Sequence, residues 1–575
     1  MLQKLFKFKG GIKPAYNKQQ SVTEPIAQAP LPTRLVIPLH QSIGGTPRPV
    51  VAVGDHVLKG QLIGEADGWI SAAVHASTSG TVVAVGPRIV PHPSGLPIDC
   101  VVIAPDGEDR WIDHQPLDYK SMEPEAVREY LQQSGVVGLG GAVFPSHAKL
   151  TPSQTVPMAE LVINGAECEP WITCDDLLMR ERADEIVAGI GLFRDLLQPQ
   201  KVLIGIEDNK PEAIAAMTAA VKAAGETHEV IAVPTLYPAG GAKQLIRVLT
   251  GKEVPAAKRS TDLGVQCFNV ATAWAAWRAV AHGEPVISRI VTLTGNTERP
   301  RNWEVRIGTP IDELLKLAGP RADTDGVIMG GPMMGFLIPA PDVPVIKATN
   351  CLIAHSPTLF PPKPPEMPCI RCGECARACP HELQPFELYW WSRAKNFGKA
   401  QEYNLFDCIE CGCCSYVCPA HIPLVQYFRF AKSEIWAREK DRKMAEGAKE
   451  RFEFKQFRDE REKAEKAEKL ARAAAAQAAR KAAEAAPAAS SKGGAAPAAP
   501  PADDPEATRK ATIAAALERA RAQRAAVQPK NTETVSPEQA REIAAIDALR
   551  IQAGLQAEPE APAMAALEPH ARKDA

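Results

Sequence analysis

The sequence predicts a multidomain α+β protein that ends in a helical, cysteine-rich segment and a polar tail. Three observations carry that reading. The chain has 575 residues, several times the size of one domain, so about three to five units are expected. Strand-like and helix-like stretches alternate through its middle. Nine of its 14 cysteines fall between Cys369 and Cys418, in two runs of repeated spacing.

Composition narrows the class. Apolar residues at 45% and charged residues at 23% suit a globular chain that buries a core. The formal net charge of −2 supplies no basic field, which argues against a nucleic-acid binder. The opening MLQKLFKFKGGIKP has lysines and glycines where an export signal has an apolar stretch. No run of about 18 apolar residues occurs, so no transmembrane helix is expected. The most apolar window, 270–281, is interrupted by Arg278. A secreted disulfide framework is therefore excluded. The chain is expected to be soluble, or peripheral to a membrane through a partner.

Residues 1–31 read as a polar leader with an FKGGIKP turn cluster. Residues 32–115 are short β-branched runs between turn signals. Within them, VGDHVLKGQLIGEADG (53–68) and HASTSGTVVAVG (75–86) look like the halves of a barrel-sandwich module of the lipoyl/biotinyl type. Such modules carry their cofactor on a tip lysine. Here the tip is Trp69-Ile70-Ser71, so a structural or interacting role is expected.

Residues 116–285 alternate helix and strand: helix 125–134, strand 160–164, helix 175–197, strand 201–206, helix 211–224, strand 228–233. That order predicts a parallel α/β sheet. Residues 286–345 follow as a β-grasp-like module, with an apolar run at 290–295, a helix at 311–318 and a closing GGPMMG (330–335). The PPKPP linker (361–365) leads into the cysteine segment, assigned to 346–435. Residues 436–575 are an Ala/Lys/Glu-rich tail, disordered or helical, with helices expected at 436–484 and 510–525.

The runs are Cys369-x2-Cys372-x2-Cys375-x3-Cys379-Pro380 and Cys408-x2-Cys411-x2-Cys414-x3-Cys418-Pro419. Each has the bacterial ferredoxin spacing for cubane [4Fe–4S] clusters. Three close cysteines wrap one cluster, and the fourth reaches the other. Cys369, Cys372, Cys375 and Cys418 are thus expected around one cluster, and Cys408, Cys411, Cys414 and Cys379 around the second. Ile370 and Ile409 are expected to shield the clusters from water. Paired CxxC motifs also hold zinc, but two complete copies with the Cys-Pro ending favour iron–sulfur. Cys413 is expected to be a non-ligand, and Cys100, Cys168, Cys174, Cys267 and Cys351 buried fillers.

Four further motifs share the α/β region: SGVVGLGGAVFPSHAKL (134–150), VINGAECEP (162–170), YPAGGAKQLI (237–246) and CFNVATAWA (267–275). With FKGGIKP, GGPMMG and the double cysteine run, they make the chain resemble the RnfC family (RsxC in some bacteria) over roughly residues 1–435. That family is the peripheral subunit of the Rnf ion-translocating electron-transfer complex. The central and β-grasp (SLBB-like) parts look more distantly like the flavin-bearing, NADH-oxidising subunit of respiratory complex I.

The resemblance implies non-covalent FMN and NAD(H) sites beside two [4Fe–4S] clusters. It puts Gly138, Gly140, Gly141 and Ala142 against flavin and dinucleotide, with Phe144 alongside and Lys149 facing the FMN phosphate. Asn164, Glu167 and Glu169 would lie near the rings, and Gly240 and Asn269 would complete the pocket. The chain departs from the pattern at Val143, where the family has glycine. It also departs from complex I at Leu139, Ala166 and Ala242. The implied function is electron transfer between NAD(H) and partner subunits at the cytoplasmic face of the bacterial inner membrane. Implied partners are the other Rnf subunits, NADH, and ferredoxin or flavodoxin, with no nucleic acid. The alternative is a non-enzymatic iron–sulfur adaptor that binds neither flavin nor NADH.

Overall fold

A computed structural model describes residues 4–153, 156–484, 514–515 and 518–519. The described residues up to 457 form one compact unit, and those from 458 form another.

The β-branched runs near the N-terminus form two antiparallel sheets. One has the strand order Leu35–Pro38, Pro97–Pro105, Gly80–Ile89, His56–Val57, and the other Arg48–Pro49, Leu62–Glu65, Val74–His75. Alternation along these strands points Leu35, Ile37, Ile63, Val82, Val101 and Ile103 inward, where all are fully buried.

The central sheet is parallel throughout, in the order Glu229–Val233, Lys201–Glu207, Glu160–Gly165, Val265–Asn269. Its strands read as near-continuous apolar runs because both faces are covered. After Glu160–Gly165 the chain builds outward on one side, then crosses to lay Val265–Asn269 on the other. The order reverses between these two strands, and open α/β sheets bind ligands in the crevice at such a point. Asn164 and Asn269 are register partners there, at the carboxyl ends of the two strands.

A third, mixed sheet runs Ala27–Gln28, Arg301–Arg306, Ser288–Gly295, Cys351–His355, Gly326–Met329, Phe336–Leu337. Helix Ile311–Ala318 packs Ile311, Leu314 and Ala318 against Leu293, Val305 and Leu352. The cysteine segment is a small helical domain around Leu388, Tyr389, Leu405, Val425 and Phe428. One apolar cluster runs from Leu35 through Ile163 to Ile353, so the barrel, the central sheet and the third sheet share a core.

Two expectations are corrected. The helix expected over 175–197 is two helices, Cys174–Glu181 and Ala183–Leu197, broken at Arg182 (φ −134°). Both halves pack on helix Pro211–Ala223, and the second also packs closely on Val270–His282. The leader is built into the fold: Ala27 pairs with Trp303, and the buried Lys18 ammonium meets the loop after Glu160–Gly165. The strand Cys351–His355 lies inside the third sheet, although the sequence assigns 346–435 to the cysteine domain. Its short apolar run, separated by a long loop from the rest of its sheet, reads in sequence like a linker.

The tail begins as helix Leu424–Glu484, rich in strong helix formers and carrying i,i+4 pairs such as Lys443–Glu439 and Arg472–Glu468. The second tail helix, expected at 510–525, lies almost wholly outside the described residues.

The helix Ala183–Leu197 provides a packing test. A Cβ on Gly189 would sit 2.0 Å from the Ala273 carbonyl oxygen, whereas one on Gly191 meets nothing within 4 Å. Gly189→Ala should lower the thermal midpoint, with a loss of about 1–3 kcal/mol from overpacking. Gly191→Ala should raise it, by up to about 1 kcal/mol from helix propensity. Parallel thermal melts of the two variants check the opposite signs.

Candidate functional site

The glycine loop closes on itself above the point where the sheet order reverses. The Gly138 N–H donates to the Phe144 carbonyl (2.8 Å) and the Val143 N–H to the Gly138 carbonyl (3.0 Å). The Leu139 N–H donates to Thr272 Oγ1 (2.9 Å), and Arg289 donates to the Leu139 carbonyl (2.8 Å). These bonds leave Gly140, Gly141 and Ala142 at the apex, with Phe144 half-buried beside them. A Cβ on Gly141 would enter open space, so a ring or phosphate can approach that backbone closely. Val143 keeps a glycine-like φ of +43°. The substitution therefore preserves the loop path, at the expense of local strain.

Both asparagines are held in place beneath the loop. Asn164 donates to the Gly240 carbonyl (2.8 Å) and accepts from the Ala166 N–H (3.1 Å). Asn269 donates to Asp175 Oδ2 (2.6 Å) and caps helix Val270–His282 by accepting from the Ala271 N–H (2.9 Å). Gly140 lies directly on Asn269. The fold thus brings Gly138, Gly140, Gly141, Ala142, Asn164, Gly240 and Asn269 to one place. These residues fit an FMN or dinucleotide: exposed loop amides, open space above them and fixed amide side chains.

Three expected residues are engaged elsewhere. The Lys149 ammonium donates to the Cys267 carbonyl and lies over the Phe268 ring at 4.6 Å. Glu169 turns to the GGPMMG loop, accepting from the Met333 (2.8 Å) and Met334 (3.0 Å) amides. Glu167 accepts from the Asp175 N–H (2.7 Å) and is buried. Burial pushes its carboxyl up to about 8, against the pull of nearby Lys18.

Lys18 is invisible as a site residue in the sequence. Its ammonium donates to the carbonyls of Glu167 (2.7 Å), Glu169 (3.0 Å) and Ile172 (2.5 Å). Lys210 likewise donates to the Ala166 carbonyl (2.7 Å) while paired with buried Glu207.

The cysteines gather into two cavities. Cys379, Cys408, Cys411 and Cys414 line one. Cys369, Cys372, Cys375 and Cys418 line the other. Each cavity thus draws three thiols from one run and one from the other, a donor set that fits a cubane cluster. Cys413 is buried against Cys411 in the wall of the first cavity. Ile409 is half-buried in that wall, but Ile370 is 69% exposed and shields little.

The first cavity sits where four motifs converge. The Tyr237 hydroxyl donates to the Cys411 carbonyl (2.7 Å), and the Ile12 N–H of the leader donates to the Tyr237 carbonyl (2.8 Å). A Cβ on Gly10 would fall 2.5 Å from the Cys379 carbonyl oxygen, and one on Gly331 would fall 2.1 Å from Glu169 Cγ. Glycine at position 10 lets FKGGIKP reach the end of the first cysteine run, and glycine at position 331 lets GGPMMG reach NGAECEP.

Family models describe the same four regions. They match an RnfC barrel sandwich hybrid domain at 6–108, a Nuo51 FMN-binding domain at 131–278, an SLBB domain at 290–337 and a 4Fe-4S dicluster domain at 368–422. The C subunit of the ion-translocating oxidoreductase complex of Yersinia pestis is 52% identical over 456 residues, 79% of this chain and 73% of that one. The chain belongs to the RnfC family. Relatives of the same name from Pseudomonas aeruginosa (51%; 79% of this chain, 58% of that one) and Pasteurella multocida (50%; 78% and 54%) are similar. A solved NAD+-reducing [NiFe]-hydrogenase in the H2-reduced state covers 53% of this chain and 62% of its own, at 19% identity and TM-score 0.40. That likeness is too distant to bear on function. The domain set of this RnfC-family chain is that of an FMN and [4Fe–4S] oxidoreductase. Among the described residues, no helix is long and apolar enough to cross a membrane.

Glu167 gives the site a pH signature. Its native carboxyl holds a proton up to about 8, while an unfolded glutamate releases it near about 4.3. The native state therefore binds more protons between these values. The stability this supplies is complete at the acid end and is lost as pH rises through about 8. The wild-type thermal midpoint should fall as pH rises from about 4 to about 8 and level off above that, and Glu167→Gln should flatten that fall.

Proposed function

We propose that this chain is the peripheral electron-transfer subunit of a membrane-bound, ion-translocating oxidoreductase, acting between NAD(H) and partner subunits. The observation that carries the reading is the contact of the flavin-domain loop, through Tyr237 and Cys168, with the cavity of Cys379, Cys408, Cys411 and Cys414. When bound, FMN supplies the exchange between two-electron and one-electron transfer, and the clusters supply one-electron relay.

The residues then have distinct tasks. Gly140, Gly141 and Ala142 offer backbone amides to the flavin or dinucleotide, and Asn164 and Asn269 orient it. The buried lysines hold loop 166–172 in shape beneath. Cys408, Cys411, Cys414 and Cys379 hold the cluster proximal to the flavin domain. Cys369, Cys372, Cys375 and Cys418 hold the distal one, where exposed Cys372 and Ile370 leave it open to a partner. Those partners are the other subunits of the Rnf complex, and ferredoxin or flavodoxin where flow reverses. Through them the chain docks on the cytoplasmic face of the inner membrane.

A non-enzymatic adaptor is the second reading. Glu169 supports it, because its carboxylate is already hydrogen-bonded to the amides of the GGPMMG loop. One sample separates the two. Under the main reading, NADH bleaches a flavin absorbance and both cubane EPR signals appear. An adaptor shows no bleaching. The order of the clusters is tested by mutation: Cys408→Ser should leave the bleaching intact and block NADH reduction of the remaining cluster. Cys369→Ser should leave reduction of the other cluster by NADH intact.

A further inference from the structure

Three side chains donate to backbone carbonyls of the cysteine loops: Tyr237 to Cys411 (2.7 Å), Lys432 to Cys408 (2.7 Å) and Arg377 to Cys372 (3.2 Å). Lys432 and Arg377 belong to the cysteine domain itself. Tyr237 comes from the α/β domain, follows the edge strand Glu229–Val233, and is 1% exposed.

A space-filling role does not account for it. Phenylalanine would fill the same volume, and a buried phenol is unfavourable unless its hydroxyl finds an acceptor. The hydroxyl finds that acceptor in another domain, on a cysteine of the cavity. The rest of the ring's surroundings lock it there. Its backbone pairs with Ile12 in both directions, and its ring packs with Cys168, Ala378, Cys411 and Cys413. The Glu169 carboxyl, itself tied to the GGPMMG amides, lies within hydrogen-bonding reach of the Tyr237 hydroxyl.

The bond also has an electrostatic sense. The positive end of the O–H dipole points at the peptide of a ligand residue, so it favours the more negative state of whatever the thiols hold. Hydrogen bonding around the sulfurs is one of the main determinants of cluster potential.

We propose that Tyr237 is a positioning residue for the metal centre of Cys379, Cys408, Cys411 and Cys414, fixing Cys411 against the flavin domain and favouring the reduced form of that centre alone. The proposal rests on the reading of these cysteines as cluster ligands.

Tyr237→Phe removes the hydroxyl and keeps the ring. In the full cluster-loaded chain, a dithionite titration followed by EPR should show one of two cluster signals at lower potential and the other unmoved. The loss of one such bond changes the reduced-to-oxidised ratio by up to about tenfold, or about 59 mV for a one-electron couple. Lys432→Met, which removes the donor on Cys408, identifies the signal: both variants must move the same one. Loss of that cluster with retention of the other supports the proposal equally. Unmoved potentials, equal shifts in both signals, shifts in different signals for the two variants, or loss of both clusters overturn it. Dithionite takes the place of NADH, so a wild type without flavin bleaching refutes the dehydrogenase reading and leaves this test standing.

Discussion

Buried backbone carbonyls need donors, and much of this structure follows from how that need is met. The loop after strand Glu160–Gly165 reverses inside the protein, where neither helix nor sheet can satisfy it. Lys18 and Lys210 converge on it from the leader and from the start of helix Pro211–Ala223, taking up the carbonyls of Ala166, Glu167, Glu169 and Ile172 between them. Lys347 does the same between domains, bridging the carbonyls of Ala73 in the barrel and Gly135 before the glycine loop (2.9 and 2.7 Å). A buried ammonium is unfavourable on its own, so each lysine is sustained by the carbonyls it gathers. Remove the lysine and the loop has no reason to stay turned.

This arrangement explains why the site is assembled from so many segments. Loop 166–172 places Glu167 against Asp175, Asp175 against Asn269, and Glu169 against the GGPMMG amides. The barrel tip is part of the same frame. The Trp69 carbonyl accepts from His147 Nε2 (2.7 Å), and the Ile43 N–H donates to the Val143 carbonyl (3.3 Å). The tip that lacks a cofactor lysine therefore buttresses the glycine loop, which is the structural role its sequence suggests.

What can be read in advance follows from how local each signal is. The spacing of the cysteines and the alternation of strand and helix are properties of short segments, and both are legible. So is helix Ile311–Ala318, whose bounds agree with expectation. Lys18 looks like any leader lysine, because the carbonyls it serves lie 149 to 154 positions away. Tyr237 and Glu169 are legible as motif members, but not as contacts to Cys411 and Met333. Strand Cys351–His355 escapes for the same reason: its partners on either side, Ser288–Gly295 and Gly326–Met329, come from a module that reads as complete without it. Arg182 breaks a helix that intrinsic propensity would have continued, its backbone leaving the helical region at φ −134°.

The two cysteine runs show how far identical spacing can diverge in environment. Ile370-Arg371 and Ile409-Glu410 occupy equivalent positions, and both Arg371 and Glu410 have positive φ (+54° and +60°). In the second run, Glu410 pairs with Arg429 and Lys432 (2.9 Å each), and Ile409 packs beside Cys168 and Tyr237. In the first, Ile370 and Cys372 face solvent. Exposure and local charge are among the determinants of cluster potential, so equal ligand sets here do not imply equal potentials. The burial gradient runs from the flavin domain outward, as it must if one centre exchanges electrons inside the chain and the other meets a partner. Duplication accounts for the ligands; the asymmetry comes from the domain against which only one copy packs.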